Sequence, residues 1–243
     1  FPPSWRMMIC IPSSITEVEK RAVRDSAEQA GAKEVYLIHE PMAAALGIGI
    51  DVEEPVGNMI IDIGGGTTGI TVIALAGIVC DQSIRIAGDE FTADIMEALR
   101  RYHSLLIGER TSEQIKIQVG AAMKDIDNPP DDFPVNGRDL VTGIPKQIMV
   151  TYQEIAEALD KSIFKIEEAI LKALEQTPPE LAADIYRRGL YLTGGGALLR
   201  GLDKRLSQKI KLPVHVADDP LKSVVRGTGY ALKNYDKYPF VMR

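Results

Sequence analysis

Apolar and polar positions alternate with two different periods along the chain, and this predicts a mixed α/β protein. Near-continuous apolar runs over residues 6–11 and 34–38 are typical of buried strands. Between them, residues 18–30 carry apolar side chains at helical spacing. The capping-box pattern Ser14–Glu17 predicts the start of this helix, and Gly31 stands where helices commonly end. The strand–helix–strand order predicts that at least part of the sheet is parallel.

The same two periods predict the elements of the remaining chain. The predicted strands cover residues 59–63, 70–75, 78–86, 190–193 and 214–216. The predicted helices cover residues 42–46, 90–102, 155–174, 202–210 and 224–232. A capping box at Thr151–Glu154 opens the longest helix, and Pro178–Pro179 is expected to end it. Residues 107–139 contain a short helix and then loop residues 127–132, so we expect a small inserted subdomain there.

A carboxylate and a glycine-rich turn end the strand at residues 59–63. The strand carries Asp62 and then breaks into Gly64, Gly65, Gly66, Thr67 and Thr68. Consecutive glycines let the backbone approach a ligand closely and point N–H groups at it, which suits phosphate oxygens. An aspartate just before such a turn can hold a hydrated Mg²⁺, which usually binds through one or two carboxylates plus the phosphates. A purely structural turn is the alternative interpretation.

A second glycine triplet, Gly194, Gly195 and Gly196, follows the predicted strand at residues 190–193. Alone it is a weaker signal, because strand–glycine–helix turns serve packing as well as binding. Two such turns in one chain nevertheless predict a nucleotide held between two lobes, each of which contributes one loop.

Three charged residues are further candidates for function. Glu40 comes directly after the strand at residues 34–38, where a carboxylate can orient a water for attack on a phosphoryl group. An exposed glutamate without such a role is the simpler alternative. Glu113 and Lys116 lie three residues apart on one face of a predicted helix, where an ordinary surface ion pair is the default interpretation.

Composition narrows the function classes only slightly. The 243 residues carry a formal net charge of −6 and no run of Lys or Arg, which argues against a general nucleic-acid-binding protein. Cys10 and Cys80 are far apart in apolar surroundings and are interpreted as buried, reduced thiols rather than zinc ligands. No uncharged apolar run reaches the roughly 18–20 residues of a membrane-spanning helix.

Six segments together resemble the actin/Hsp70/sugar-kinase superfamily and, within it, the MreB family of bacterial actins. These segments are Ile38–Ala45, Asp62–Thr68, Ser83–Asp89, Pro178–Ala182, Leu192–Leu199 and Asp218–Leu221. The similarity extends along essentially the whole chain. It implies an α/β, actin-like ATPase fold with a ribonuclease-H-like core and a small inserted subdomain.

The resemblance also implies roles for the residues singled out above. It places Asp62 near Mg²⁺, Gly64–Thr68 around the terminal phosphates of ATP, and Glu40 where the hydrolytic water is positioned. It makes Gly194–Gly196 the adenosine loop and the Glu113–Lys116 pair the contact to ribose and adenine. ATP and Mg²⁺ are thus the expected ligands.

The subdomains of the family map onto the chain as follows. Residues 1–49 and 214–243 are expected to form part of subdomain IA, residues 50–85 and 150–213 subdomain IIA, and residues 86–149 subdomain IIB.

The function implied by the resemblance is that of an ATP-binding, filament-forming bacterial actin that determines rod cell shape by organising cell-wall synthesis. Further copies of the chain, joined head to tail, are the first expected partner. Cell-wall synthesis proteins and membrane-associated shape proteins are the others, and no nucleic acid is expected. The expected location is the cytoplasm, with association at the inner face of the cytoplasmic membrane.

One motif of the family is missing. Relatives begin with a phosphate-1 loop of Asp-x-Gly-Thr type, and no such motif precedes Arg6. The chain therefore resembles the C-terminal two-thirds of the family, and part of subdomain IA and all of subdomain IB are expected to be absent. ATPase activity is expected of the full-length protein, and little or none of this chain alone.

Two other functions of the superfamily are alternatives. An Hsp70-type chaperone ATPase shares the glycine loops but is followed by a β-rich peptide-binding domain. A small-molecule kinase needs a catalytic aspartate base and a sugar pocket. The context of Glu40, His-Glu-Pro-Met-Ala-Ala-Ala, favours the actin branch over both.

Overall fold

The first three elements form the strand–helix–strand unit that the sequence predicts. A computed structural model describes residues 5–242. Strands β1 (Trp5–Ile11) and β2 (Ala32–His39) pair in parallel, and helix α1 (Glu17–Gln29) connects them. Helix α2 (Glu40–Gly47) follows β2 without an intervening loop. The predicted parallel pairing is confirmed.

The capping box of α1 differs from the prediction by two residues. Its hydroxyl acceptor is Thr16 rather than Ser14: Thr16 Oγ1 accepts the Glu19 N–H at 3.3 Å, and Glu19 Oε2 accepts the Thr16 N–H at 2.8 Å. The pair Ser14–Glu17 fits the same spacing pattern, but the structure forms the box with Thr16 and Glu19. The assignment to Ser14–Glu17 was therefore wrong. Thr16 has extended backbone angles directly before the first helical residue, which is where a cap side chain reaches the third amide of the helix.

Three antiparallel strands then form a meander. They are β3 (Asn58–Ile63), β4 (Thr68–Ala74) and β5 (Gly77–Ile84). The tight turn between β4 and β5 places Leu75 and Ala76 in left-handed backbone angles, with φ of 50° and 57°. Their N–H groups donate to the carbonyls of Glu54 and Val52, which holds this unusual turn in place.

The middle of the chain forms a small separate sheet with two helices. The elements are α3 (Gly88–His103), β6 (Leu105–Leu106), α4 (Glu109–Val119), β7 (Phe133–Asp139) and β8 (Pro145–Val150). The three strands are antiparallel in the order β6–β7–β8. The sequence pattern predicted the short helix and the following loop but not the β7–β8 hairpin.

The last third of the chain returns to the larger sheet. Its elements are α5 (Tyr152–Gln176), α6 (Pro179–Arg188), β9 (Leu190–Thr193), α7 (Leu202–Ile210), β10 (Val214–Val216) and α8 (Ser223–Lys233). Helix α6 was not predicted, because Pro178–Pro179 was expected only to end α5. Pro179 is the first helical residue of α6, a position where the fixed φ and the missing N–H are tolerated.

The larger sheet has the strand order β10–β9–β3–β4–β5. Strands β3, β9 and β10 run parallel to one another. Because β10 extends this sheet, a boundary of subdomain IA at residue 214 would separate β10 from the strand with which it pairs. Residues 1–4 and 243, which the expected subdomain IA includes, lie outside the described residues.

Two hydrophobic cores lie against the larger sheet. The larger core contains Ile61 of β3 together with side chains of helices α3 to α7, and the smaller core contains Ile60 of β3 together with side chains of α2 and α8. Consecutive strand residues point to opposite faces, so β3 contributes to both cores. The sheet therefore fixes the two cores relative to each other.

Helices α2 and α8 cross with their backbones almost in contact. A Cβ atom added at Gly47 would overlap the Ser223 carbonyl, and one added at Gly227 would overlap the Ala43 carbonyl. Glycine is required at both positions because backbone atoms of the opposite helix fill the space of a side chain.

We expect Gly227→Ala to destabilise the protein by about 1–3 kcal/mol, because the added methyl group forces the two helices apart. Gly229→Ala on the same helix is the matched control, since no atom lies within 4 Å of its Cβ position. This control should be neutral or stabilising by about 0.5–1 kcal/mol, because alanine favours the helix. Chemical denaturation of both variants measures the difference, and equal stabilities would contradict the close crossing.

Candidate functional site

Strand pairing brings the two glycine triplets to one edge of the larger sheet. In the parallel pair β3–β9, Asp62 lies opposite Thr193, and each triplet begins just beyond these residues. The carboxyl ends of parallel strands meet at the same edge of a sheet, where ligands commonly bind. The structure thus brings together two segments that are about 130 positions apart in the sequence.

Asp62 is a partly buried carboxylate at this edge. Burial raises the pKa of its carboxyl group above the ordinary value, and the nearby Thr193 hydroxyl offsets part of that rise. Thr193 itself is fully buried, and its Oγ1 has no hydrogen-bond partner of standard geometry among residues 5–242. A partly buried negative charge beside an unpartnered hydroxyl favours the binding of a cation, which would offset the cost of burying the charge.

The second triplet packs against Asp62. Gly194 has a φ of +80°, and a Cβ atom there would lie 2.5 Å from Asp62 Oδ1. A Cβ atom on Gly196 would overlap the side chain of Ile63, whereas Gly195 is exposed. Gly194 and Gly196 therefore permit a close approach that any larger residue would prevent.

In the first glycine loop, three consecutive backbone N–H groups have no hydrogen-bond partner within the described chain. The Gly64 N–H donates to the Thr67 carbonyl at 3.0 Å, so it serves the turn rather than a ligand. Gly65, Gly66 and Thr67 are exposed, and within the described chain no acceptor for their N–H groups is found. Such a run of unpaired amides is a concave site for an anion.

Thr68 differs from the other predicted loop residues. Its side chain is fully buried, and its hydroxyl donates to the Ile86 carbonyl at 2.6 Å. This hydroxyl therefore stabilises the start of β4. Of the atoms of Thr68, only those of the backbone could make the predicted contact with a nucleotide.

The Glu113–Lys116 pair lies beside the first glycine loop rather than on an isolated surface. Lys116 Nζ lies 2.6 Å from Glu113 Oε2 and donates to the Gly88 carbonyl at 2.8 Å. Gly88 in turn donates its N–H to the Gly64 carbonyl at 3.1 Å. Lys116 is largely buried, whereas the Glu113 side chain is 48% exposed and free to contact a ligand. The pair thus fixes α4 against the start of α3 and the glycine loop.

Glu40 approaches the same region from the smaller core. It is the first residue of α2 and is half-buried, and both burial and the charge of Asp62 raise the pKa of its carboxyl group. The two carboxylates are therefore electrostatically coupled. Burial chiefly, together with the charges of Glu40 and Asp62, also raises the pKa of the Cys10 thiol.

Sequence reasoning missed three residues that line this region. Asp89, at the start of α3, lies against Gly65 and Gly66, and Thr92 Oγ1 accepts a hydrogen bond from Lys116 at 3.1 Å. Cys10 was interpreted only as a buried thiol, and the structure adds that it neighbours the two carboxylates. For Asp89, the signal in the sequence was Gly88 directly before it, because a glycine at a helix start can mark a close approach to a ligand.

The residues present fit Mg²⁺ bound together with phosphates. Among residues 5–242, no group of three or more His, Cys, Asp or Glu side chains converges to hold a metal by itself. Mg²⁺ usually binds through one or two carboxylates plus substrate phosphates, and Asp62 beside three free amides supplies that arrangement. When bound, the ion would offset the charge of the phosphates.

Comparison with known proteins identifies the family. The family model described as MreB/Mbl protein matches residues 2–239. The chain belongs to the MreB/Mbl family. It is 48% identical over 234 residues to the cell shape-determining protein Mbl of Bacillus subtilis, covering 96% of this chain and 70% of that protein. It is 49% identical over 239 residues to the cell shape-determining protein MreB of Escherichia coli, covering 97% of this chain and 67% of that protein.

Solved structures support the actin-like fold. MreB5 of Spiroplasma citri bound to ADP matches with a TM-score of 0.92 and 39% identity, over 96% of this chain and 70% of that one. The same protein bound to AMPPNP matches with a TM-score of 0.91. A double helical filament of MamK matches with a TM-score of 0.77 at 23% identity, a likeness that concerns the fold alone.

Within residues 5–242, no helix is both long enough and apolar enough to cross a bilayer.

We expect Asp62→Asn to stabilise the ligand-free protein and to weaken binding of Mg·ATP. The folded-state pKa of Asp62 is raised, so ionisation destabilises the fold, and stability falls as pH rises from the ordinary carboxyl pKa through the raised value. Asparagine removes this cost at neutral pH, but it also removes one charge-assisted contact, worth about 10- to 100-fold in affinity.

Thermal denaturation at neutral pH and titration of the full-length protein with Mg·ATP measure the two effects. A variant that is less stable and binds with unchanged affinity would contradict the placement of Asp62 beside the metal.

Proposed function

We propose that this protein binds ATP with Mg²⁺ at the edge of the larger sheet. The observation that carries the proposal is the run of three amides at Gly65–Thr67, unpaired within the described residues, beside the partly buried carboxylate of Asp62. Phosphate oxygens satisfy such amides, and the metal satisfies the carboxylate. The relatives of known structure include a protein bound to ADP and to AMPPNP, which supports a nucleotide as the ligand.

The second glycine loop and the Glu113–Lys116 pair of α4 suit the other parts of a nucleotide. We assign Gly194–Gly196 to the adenosine moiety, since this loop lies against Asp62 and has an exposed central residue. We assign Glu113 to the ribose or base, because its carboxylate is half-exposed and held beside the glycine loop by Lys116. Lys116 itself is a positioning residue, since its ammonium group is already bonded to Glu113 and Gly88.

Glu40 is proposed to assist hydrolysis of the terminal phosphate. Its half-buried carboxylate has a raised pKa because of burial and the nearby charge of Asp62, which suits a group that accepts a hydrogen bond from water. The oriented water oxygen forms a bond to the terminal phosphorus while one of its protons passes to the Glu40 carboxylate, and the bond from that phosphorus to the bridging oxygen breaks. ADP and inorganic phosphate are produced, and Glu40 then releases the proton to solvent. Nearby amides at Gly65–Thr67 stabilise the negative charge that builds up on the phosphoryl oxygens.

The cellular role that we propose is control of rod cell shape in the cytoplasm, through organisation of cell-wall synthesis. Two relatives that are 48% and 49% identical are both named cell shape-determining proteins, which supports this role. Cell-wall synthesis proteins and the inner face of the cytoplasmic membrane are the proposed partners. Neither alternative, a chaperone ATPase or a small-molecule kinase, is favoured by an observation in this structure.

We propose the division into subdomains that the resemblance implies, except that β10 belongs to subdomain IIA. Residues 1–49 are assigned to subdomain IA, 50–85 and 150–213 to IIA, and 86–149 to IIB. The strand β10 joins subdomain IIA, because it pairs with β9. The second segment of subdomain IA then begins after residue 216.

We propose that copies of the chain associate through two surfaces, the tip of the β7–β8 hairpin and the turn between β4 and β5. Helix α3 starts beside the glycine loop and extends for 16 residues, or about 24 Å. The residue after its last turn, Ser104, accepts a hydrogen bond from the Leu140 N–H at the tip of the β7–β8 hairpin. Exposed aliphatic side chains cover this tip, with Val141 at 81% and Ile144 at 62%. The β4–β5 turn, at the opposite end of the sheet, presents Leu75 at 68% exposure.

Two different apolar surfaces at opposite ends favour a head-to-tail contact. Such a contact does not close on itself and propagates into a filament. Left-handed backbone angles at Leu75 and Ala76 add a second indication, because strained turns are often kept for function.

Glu40→Gln should leave the affinity for Mg·ATP nearly unchanged and slow hydrolysis on the order of 10²-fold. The amide keeps the shape of the side chain but orients water poorly. Phosphate release under saturating ATP and a separate binding titration, both on the full-length protein, measure the two quantities. Weaker binding at an unchanged turnover rate would assign Glu40 to a different role.

Val141→Asp should raise the protein concentration needed for ATP-dependent polymers about tenfold or more, because a charge replaces about 1.5 kcal/mol of apolar burial at each contact. The matched control is Val18→Asp on α1, where valine is 80% exposed. Sedimentation of the full-length variants at several concentrations measures the effect. Equal pelleting of the two variants would exclude the hairpin tip from the contact.

A further inference from the structure

Asp89 places an unpaired negative charge against the loop that we assign to phosphate. Its carboxylate oxygens lie 3.6 and 3.8 Å from the Cβ position of Gly65, and one lies 3.7 Å from that of Gly66. The Asp89 N–H donates to the Gly65 carbonyl at 2.8 Å, which ties its backbone to the same turn. The carboxylate is therefore held beside the free amides.

No positive group in the described part of the chain compensates this charge. The side chain of Asp89 is exposed, and it forms no ion pair and no hydrogen bond with another residue of the described chain. Lys116 is the ammonium group near this turn, and it is already bonded to Glu113 and to the Gly88 carbonyl. Glu113, the partner of Lys116, is itself negative.

This arrangement sets two effects against each other. The amides of Gly65, Gly66 and Thr67 attract an anion, whereas a carboxylate a few ångströms away repels it. The same loop would bind phosphate more tightly if Asp89 were neutral. Asp89 also lies in the first turn of α3, where the helix dipole favours an acidic side chain, but that role does not require the carboxylate to lie against Gly65 and Gly66.

We propose that Asp89 limits how tightly the Gly65–Thr67 loop retains phosphate, and so lowers the affinity for nucleoside triphosphate and for free inorganic phosphate. This inference rests on the proposed function and specifies how that site is regulated. Its consequence is faster release of phosphate after hydrolysis. It also distinguishes Asp89 from Asp62: a carboxylate that helped to hold the metal, directly or through water, would have the opposite effect on affinity.

The test compares Asp89→Asn with the wild type in the full-length protein. We expect about a 3- to 10-fold higher affinity for Mg·AMPPNP, and a similarly lower concentration of inorganic phosphate for half-maximal competition, from the loss of one repulsive charge in a solvated site. Raising the ionic strength from about 50 mM to about 500 mM should shrink the difference, because salt screens exposed charges.

Two control variants separate charge from shape and stability. Glu90→Gln changes the net charge equally in the same first helical turn, but Glu90 neighbours Asp94 rather than the glycines, so its affinity should match that of the wild type. Asp89→Glu keeps the charge and should also resemble the wild type. Equal or weaker nucleotide binding by Asp89→Asn would overturn the inference. Absence of binding by every protein, each folded by circular dichroism, would overturn the proposed function, and this inference with it.

Discussion

The parallel pairing of β3 with β9 is the constraint on which the rest of the site depends. It places Asp62 opposite Thr193, so both glycine turns leave the sheet at the same edge. Gly194 then fits against the Asp62 carboxylate only because it lacks a side chain. A slip of one residue in this register would turn Asp62 to the other face of the sheet and separate it from both turns.

The remaining parts of the site are attached to this edge through backbone hydrogen bonds. Helix α3 is joined to the first turn by the N–H groups of Gly88 and Asp89, and α4 is joined to α3 by Lys116. The smaller core brings Glu40 from the opposite side, at the first residue of α2. Because α2 packs directly on α8, the position of Glu40 depends on this helix pair in the smaller core.

Sequence reasoning was most successful where a strong period or an unusual motif was present. The strand–helix–strand unit, the meander and the two glycine turns followed from apolar spacing and from consecutive glycines. It failed where a local pattern had two solutions, as for Ser14 and Thr16, which both precede a glutamate at the required spacing. It also failed at Pro179, since proline marks either the end of one helix or the beginning of the next.

The detailed roles of the site residues depended on tertiary contacts that no local pattern contains. Gly64 and Gly65 are equivalent in the sequence, but the N–H of Gly64 is used by the Thr67 carbonyl, whereas that of Gly65 is free. Likewise, Thr67 and Thr68 differ because only the Thr68 hydroxyl reaches the Ile86 carbonyl. The approach of Asp89 to the loop requires the fold of α3 onto the turn, which the sequence does not reveal.

The most direct test of the central claim is an amide NMR titration of the nitrogen-15-labelled, full-length protein with Mg·AMPPNP. The account predicts that the N–H signals of Gly65, Gly66 and Thr67 shift strongly as phosphate oxygens take up their free hydrogen bonds, whereas the signal of Gly229 on α8 stays in place. Large shifts elsewhere, with these three amide signals unchanged at saturating nucleotide, would contradict the assignment of this loop to phosphate.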